Sequence, residues 1–271
     1  MLSKKFIFLL VVLILIGSIG FFPSSRVSVI ERESDSNNDL ISEEKVLLEV
    51  ITVAELEYFL GAKGYFVRPT ESGNYPGIVM VHENRGLRPE IKATAESLAK
   101  EGYLVLAVDL FGAVAEDQDG ARLLTASFDQ EEGTENMRAA AKYLREQGAG
   151  KMASLGWCFG GRQSVELATS GEKLDATIVY YGGGISTSTE VLQPISWPVL
   201  GIFGDEDQVL PVETVLDFSN ALSEIGVENE IHIYPGVGHA FANPSGANFA
   251  PEATLDAWEK TLDFLSRHLG S

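Results

Sequence analysis

From about residue 46 onward, short runs that are apolar at every position alternate with stretches whose apolar residues recur every three or four. This alternation restricts the fold more than any other feature. A run such as "PGIVMVHE" or "YLVLAVDL" has no polar face, so it suits a strand buried on both sides. "YFVRP", "KMASLGW", "ATIVYYGG", "PVLGIFGDED" and "NEIHIYPG" read as further strands. Between them, residues 91–100, 136–146, 162–169, 212–225 and 252–269 carry helical spacing. Strands alternating with helices require a mostly parallel sheet with helices on both faces, an α/β fold. Residues 112–133, rich in Asp, Glu and Gly, are the least regular stretch and are expected to form a surface excursion over the site. No internal repeat or second globular domain is visible, so residues 46–271 read as one domain.

The segment before that domain has a different character. Residues 1–5 are short and basic, and residues 6–22 are almost wholly apolar. A charged start followed by an apolar run is the pattern of an export signal. Residues 1–23 are therefore expected to be a cleaved signal peptide or a retained membrane anchor, the span being just long enough to cross a bilayer. A buried N-terminal helix is the alternative. Residues 24–45, containing "ERESDSNNDLISEE", read as a polar acidic tether. The domain is expected to be exported, either secreted or tethered to the outer face of the cytoplasmic membrane. The net charge of −19 leaves no basic stripe for a phosphate backbone, which argues against nucleic acid as a partner. A small molecule is the expected partner; the oligomeric state stays open.

The strand "KMASLGW" runs into "GWCFGG", a G-x-C-x-G turn holding the only cysteine of the chain, Cys158. In a nucleophile elbow the middle residue is strained and its flanks are crowded, so glycine is needed at 156, 160 and 161. The helix that follows points its N-terminus at the cysteine, which favours a thiolate. Taken alone, the motif fits a nucleophile or a small buried thiol equally. Partners separate the two. "YPGVGHAF" places His239 in a loop after a strand, and "GDEDQVLP" places Asp207 just past another. The order nucleophile, acid, histidine is that of α/β-hydrolases. Asp205 competes with Asp207 and is expected to cap the turn. His82, His232 and His268 read as structural. Glu83, Asp109, Cys158, Asp207 and His239 all follow strand ends, where ligands bind in open α/β sheets.

Taken together, "VHENRGL", "AVDLFG", "GWCFGG", "GDEDQVLP", "YPGVGHAF" and "AWEKTLDFL" make residues 46–271 resemble the dienelactone hydrolases, or carboxymethylenebutenolidases. The resemblance implies an α/β-hydrolase fold without a large cap, and cleavage of ester or lactone bonds in small molecules. It implies a Cys158-His239-Asp207 triad, a thioester acyl-enzyme, and no metal or organic cofactor. It also implies that Glu83 lies beside the cysteine, holds it protonated at rest and helps activate it; an ion pair of Glu83 with Arg85 or Arg88 is the alternative. Oxyanion donors are expected at the backbone N–H groups of Phe159 and Asn84.

One departure bears on substrate. Relatives carry an arginine in a "GHSFAR"-like segment that grips a substrate carboxylate, whereas this chain reads "GHAFAN", with Asn243 there. Asparagine cannot form the charged fork. Arg85 and Arg122 are the candidate replacements, each equally readable as a surface arginine. Trp157, Phe111 and Phe241 are candidate pocket walls, and Trp197 and Phe159 are weaker ones. Alternatives to the lactone hydrolase are a broad carboxylesterase and a binding module on the same fold. A thiol redox protein would need the C-x-x-C pair or resolving cysteine that a lone Cys158 lacks.

Overall fold

The computed structural model describes residues 47–270. The expected signal or anchor at 1–23 and the whole of the expected tether at 24–45 lie outside the described residues. Among the described residues no helix is long and apolar enough to cross a membrane. In chain order the elements are β1 (Val50–Phe59), β2 (Ala62–Pro69), β3 (Gly77–Val81), α1 (Pro89–Lys100), β4 (Leu104–Val108), α2 (Gln118–Ala126), α3 (Gln130–Glu146) and β5 (Met152–Trp157). They continue with α4 (Phe159–Thr169), β6 (Ala176–Tyr180), α5 (Thr189–Leu192), β7 (Val199–Gly204), α6 (Val212–Glu224), β8 (Asn229–Tyr234) and α7 (Pro251–Leu269).

The strands form one sheet in the order β1-β2-β4-β3-β5-β6-β7-β8. From β4 through β8 all pairings are parallel, while β1 and β2 join antiparallel at one edge. Every residue of β3, β4, β5, β6 and β7 is buried, as their unbroken apolar runs require. Helices cover both faces. Met137 and Leu144 of α3, Val165 of α4 and Phe218 of α6 pack in one core, and Ile91 and Leu98 of α1 with Phe264 of α7 in the other. This is the α/β-hydrolase arrangement, with no large cap.

Two stretches differ from the reading of the sequence. Strand β1, unrecognised there, joins β2 through Leu60 and Gly61, both at positive φ (37° and 84°). That is the geometry of a two-residue hairpin turn, here without the Asn-Gly or Asp-Gly signature that usually announces one. Its outer face is exposed, so burial leaves no clear alternation in the sequence. Residues 112–133 are more regular than expected: they hold α2 and the start of α3. Two of their acids are helix caps. The Asp117 carboxylate accepts from Gly120 N at 2.8 Å and that of Asp129 from Glu132 N at 3.0 Å.

Candidate active site

The carboxyl ends of the parallel strands bring six side chains to one edge of the sheet. Glu83 follows β3, Asp109 β4, Cys158 β5, Tyr181 β6, Asp207 β7 and His239 β8. Cys158 is the sharp point of the turn between β5 and α4, at φ 54° and ψ −115°. A non-glycine residue rarely takes such a conformation, and here its surroundings hold it. A side chain at 156 would put Cβ 2.1 Å from Gly160 O, and one at 160 would put it 2.3 Å from Val81 O. The chain therefore crosses itself too closely for anything but glycine. Phe159 N opens α4, so its N–H has no acceptor within the helix.

His239 lies between the thiol and an acid. Its Nε2 is 3.0 Å from Cys158 Sγ and its Nδ1 is 2.8 Å from Asp207 Oδ2. A carboxylate only accepts, so Nδ1 carries a proton. Asp207 is buried, and its Oδ1 accepts from Val209 N at 2.7 Å and Leu210 N at 3.0 Å. Burial works against its charge, but the bonds from His239, Leu210 and Val209 outweigh this and hold its carboxyl below the usual range. For His239 burial likewise disfavours the charge. The bonds to Asp207 and to Cys158 prevail and push the imidazolium up to about 10. Asp205 is elsewhere: its Oδ1 accepts from Gly236 N at 2.7 Å, capping the turn after β8.

Glu83 forms no ion pair with Arg85 or Arg88. Its Oε1 accepts from Tyr181 Oη at 3.2 Å, and its Oε2 accepts from Asn243 Nδ2. Burial pushes its carboxyl up, and the two neutral donors recover only part of the cost. His82, fully buried, braces this corner through Nδ1 to Glu83 O at 2.6 Å, and Nε2 accepts from Leu110 N at 3.1 Å. Asp109 caps its own turn, accepting from Phe111 N and Gly112 N.

Tyr181 is the residue that sequence reasoning missed. It is buried at φ 36°, its hydroxyl is on Glu83, and its ring meets that of His239 edge-on at 5.3 Å. Its signal was the tyrosine pair of "ATIVYYGG", at the end of the strand beside the elbow. Asn243, noted only for what it lacks, is a partner of Glu83.

The substrate-contact candidates divide. Trp157 borders a cavity of about 260 Å³ between α1 and α7, together with Glu83, Tyr181 and Asn243. Phe111 packs with His82, Phe128 and Phe159 and borders a smaller cavity of about 220 Å³ against α2 and α3. Phe241 lines neither cavity. It is fully buried between Tyr181 and Tyr234, because the loop after β8 turns it into the core. Arg122 is exposed on α2 and pairs with Asp119 one turn away at 2.7 Å, so the helix carries it away from the strand ends. Arg85 donates to Ala115 O at 3.3 Å and ties two loops together.

With this geometry established, comparison with known proteins is direct. Residues 62–269 match the dienelactone hydrolase family. A protein of Saccharolobus solfataricus named "Putative carboxymethylenebutenolidase" is 30% identical over 257 residues, covering 79% of this chain and 98% of its own. One of the same name from Yersinia pestis is 27% identical over 221 residues, covering 75% and 83%. The crystal structure of a "Putative Dienelactone Hydrolase" from Klebsiella pneumoniae superposes with a TM-score of 0.74 at 24% identity, over 81% of this chain and 99% of that one. A dienelactone hydrolase-like promiscuous phosphotriesterase from metagenomic libraries gives 0.71 at 24%, over 83% and 100%. These two likenesses concern the fold. The family match and the relatives' coverage decide the assignment: the chain belongs to the dienelactone hydrolase family, as a carboxylic ester hydrolase.

Proposed function

We propose that the protein hydrolyses neutral esters or lactones of small molecules, with Cys158 as nucleophile, His239 as acid and base, and Asp207 as the residue that orients it. The observation behind this reading is the continuous hydrogen-bonded row Asp207–His239–Cys158 on the strained turn at the end of β5. The thiolate attacks the carbonyl carbon, and the oxyanion is received by the N–H groups of Phe159 and Asn84. Collapse breaks the carbon–oxygen bond, His239 gives its Nε2 proton to the leaving alkoxide, and a thioester remains on Cys158. Water then attacks the thioester, with His239 taking its proton.

The electrostatics of His239 suit both steps. Two of the causes that keep it charged are its bond to Cys158 and the charge of that group. Acylation removes both, so the imidazole becomes a better base at the moment deacylation needs one. A neutral substrate is favoured because Asn243 is uncharged and bonded to Glu83, and Arg122 is bound to Asp119 on the surface.

The test is hydrolysis of an activated aryl ester, a neutral enol-lactone and a carboxylated dienelactone by the wild type and by Cys158→Ala. Turnover of the first two should fall by about 10⁴ or more in the variant, as when a nucleophile of this kind is removed. Equal activity in the variant would remove the triad reading, and no turnover by either protein would favour a binding module. We also propose that residues 1–23 direct export, supported by their basic start and apolar run. Cell fractionation should place the protein outside the cytoplasm; recovery in the cytosol would overturn this.

A further inference from the structure

The cavity of about 260 Å³ between α1 and α7 is bordered by neither Cys158 nor His239. Glu83, Tyr181 and Asn243 line it, and Tyr181 also meets the ring of His239. Its volume is near the small end of ligand pockets, roughly 300–1,000 Å³. Trp157, Trp258 and Phe249 form aromatic walls, and Thr94 on α1 contributes to the opposite side. Its acidic groups are Glu83 and Glu90, and no lysine, arginine or histidine borders it.

Both carboxylates have acceptor capacity to spare. Glu83 is held only by neutral donors, with no ion pair among the described residues. Glu90 receives Arg88 Nε at 2.6 Å and Ser245 Oγ at 3.0 Å on the same oxygen, Oε1, and its own backbone N–H also bonds its carboxyl. Arg88 neutralises part of the Glu90 charge; Glu83 has no ion pair among the described residues and feels the charge of His239 only from beyond contact distance. An ammonium group is what two such carboxylates beside aromatic faces would bind, through charge-assisted hydrogen bonds and the attraction of a cation to the ring faces. An anion would meet two like charges.

We propose that this cavity is a second binding site, for a small aromatic amine in its ammonium form, with the ring against Trp157 and Trp258 and the charge at Glu83 and Glu90. The burial that disfavours charge on Glu83 is relieved by a bound cation, which adds to the affinity. Neither Cys158 nor His239 lines the cavity, so binding can be tested in protein that cannot turn over.

The experiment is calorimetric titration at pH 7 and low salt with phenethylamine, and with 2-phenylethanol and phenylacetate as neutral and anionic probes of the same shape. The amine should bind about tenfold or more tightly than the alcohol, as a charge-assisted bond implies, and the acid should not bind. Binding should persist in Cys158→Ala, which separates this result from any test of hydrolysis. Thr94→Phe, filling the cavity, should abolish it, with folding checked by circular dichroism. Glu90→Gln, a milder change, should weaken it about tenfold. Equal affinity for amine and alcohol, no binding of the amine, or unchanged binding in both Thr94→Phe and Glu90→Gln would overturn the proposal.

Discussion

Asn243 bears on the charge of the site. Its amide donates to Glu83, so at this position the carboxylate has a neutral partner. An arginine there would supply both a charge for Glu83 and a fork for a substrate carboxylate. Asn243→Arg should therefore raise the carboxylated-to-neutral ratio of kcat/KM by about tenfold, the effect of one charge-assisted contact. A ratio that stays put would mean that position 243 does not face the substrate. Tyr181 makes the complementary point. Its hydroxyl and ring touch Glu83 and His239 at once, a double role that its neighbours in the sequence do not announce.

Among the elements, the β5–turn–α4 unit is the one whose geometry the site depends on. Gly160 lies against the carbonyls of Val81 and His82, at 2.3 and 2.5 Å from where a Cβ would sit. The obstacle is backbone, which cannot rotate aside. Gly160→Ala should cost about 3 kcal/mol in urea unfolding, the upper part of the range for overpacking, and should lower kcat by moving Cys158. Gly226→Ala is the control: its φ is positive, at 80°, but nothing lies within 4 Å of where a Cβ would sit. It should cost only about 1 kcal/mol, from backbone strain alone, and leave kcat unchanged. If both variants lose stability equally, the close crossing at the elbow is not what requires glycine. The elements also show where local reading fails. The elbow announced itself because its glycines and cysteine fall within six consecutive residues, although the backbone that requires glycine at 160 belongs to Val81 and His82. The β1–β2 hairpin did not, because Leu60 adopts a conformation that its side chain gives no reason to expect.

At the scale of the whole molecule, eight strands in one sheet convert distant sequence segments into a single row of functional groups. That row links folding to pH. The folded His239 keeps its proton up to about 10, against about 6.5 for an unfolded histidine. Its contribution to stability is thus fully present below pH 6.5 and is lost as the pH rises towards 10. The stability difference between wild type and His239→Gln, measured in urea, should be largest near pH 6 and shrink steadily to pH 10; a constant difference would show that the ring is not held charged. The sequence by itself determined the α/β class, the elbow, and the identities and order of Cys158, Asp207 and His239. It could do so because unbroken apolar runs and the glycine-flanked cysteine are patterns contained in short contiguous segments. Tertiary structure alone decided that Arg122 faces solvent, that Phe241 is core, and that Tyr181 and Asn243 share Glu83. Those outcomes depend on the direction in which each side chain leaves its loop, and that direction is set by packing between segments as many as 160 residues apart.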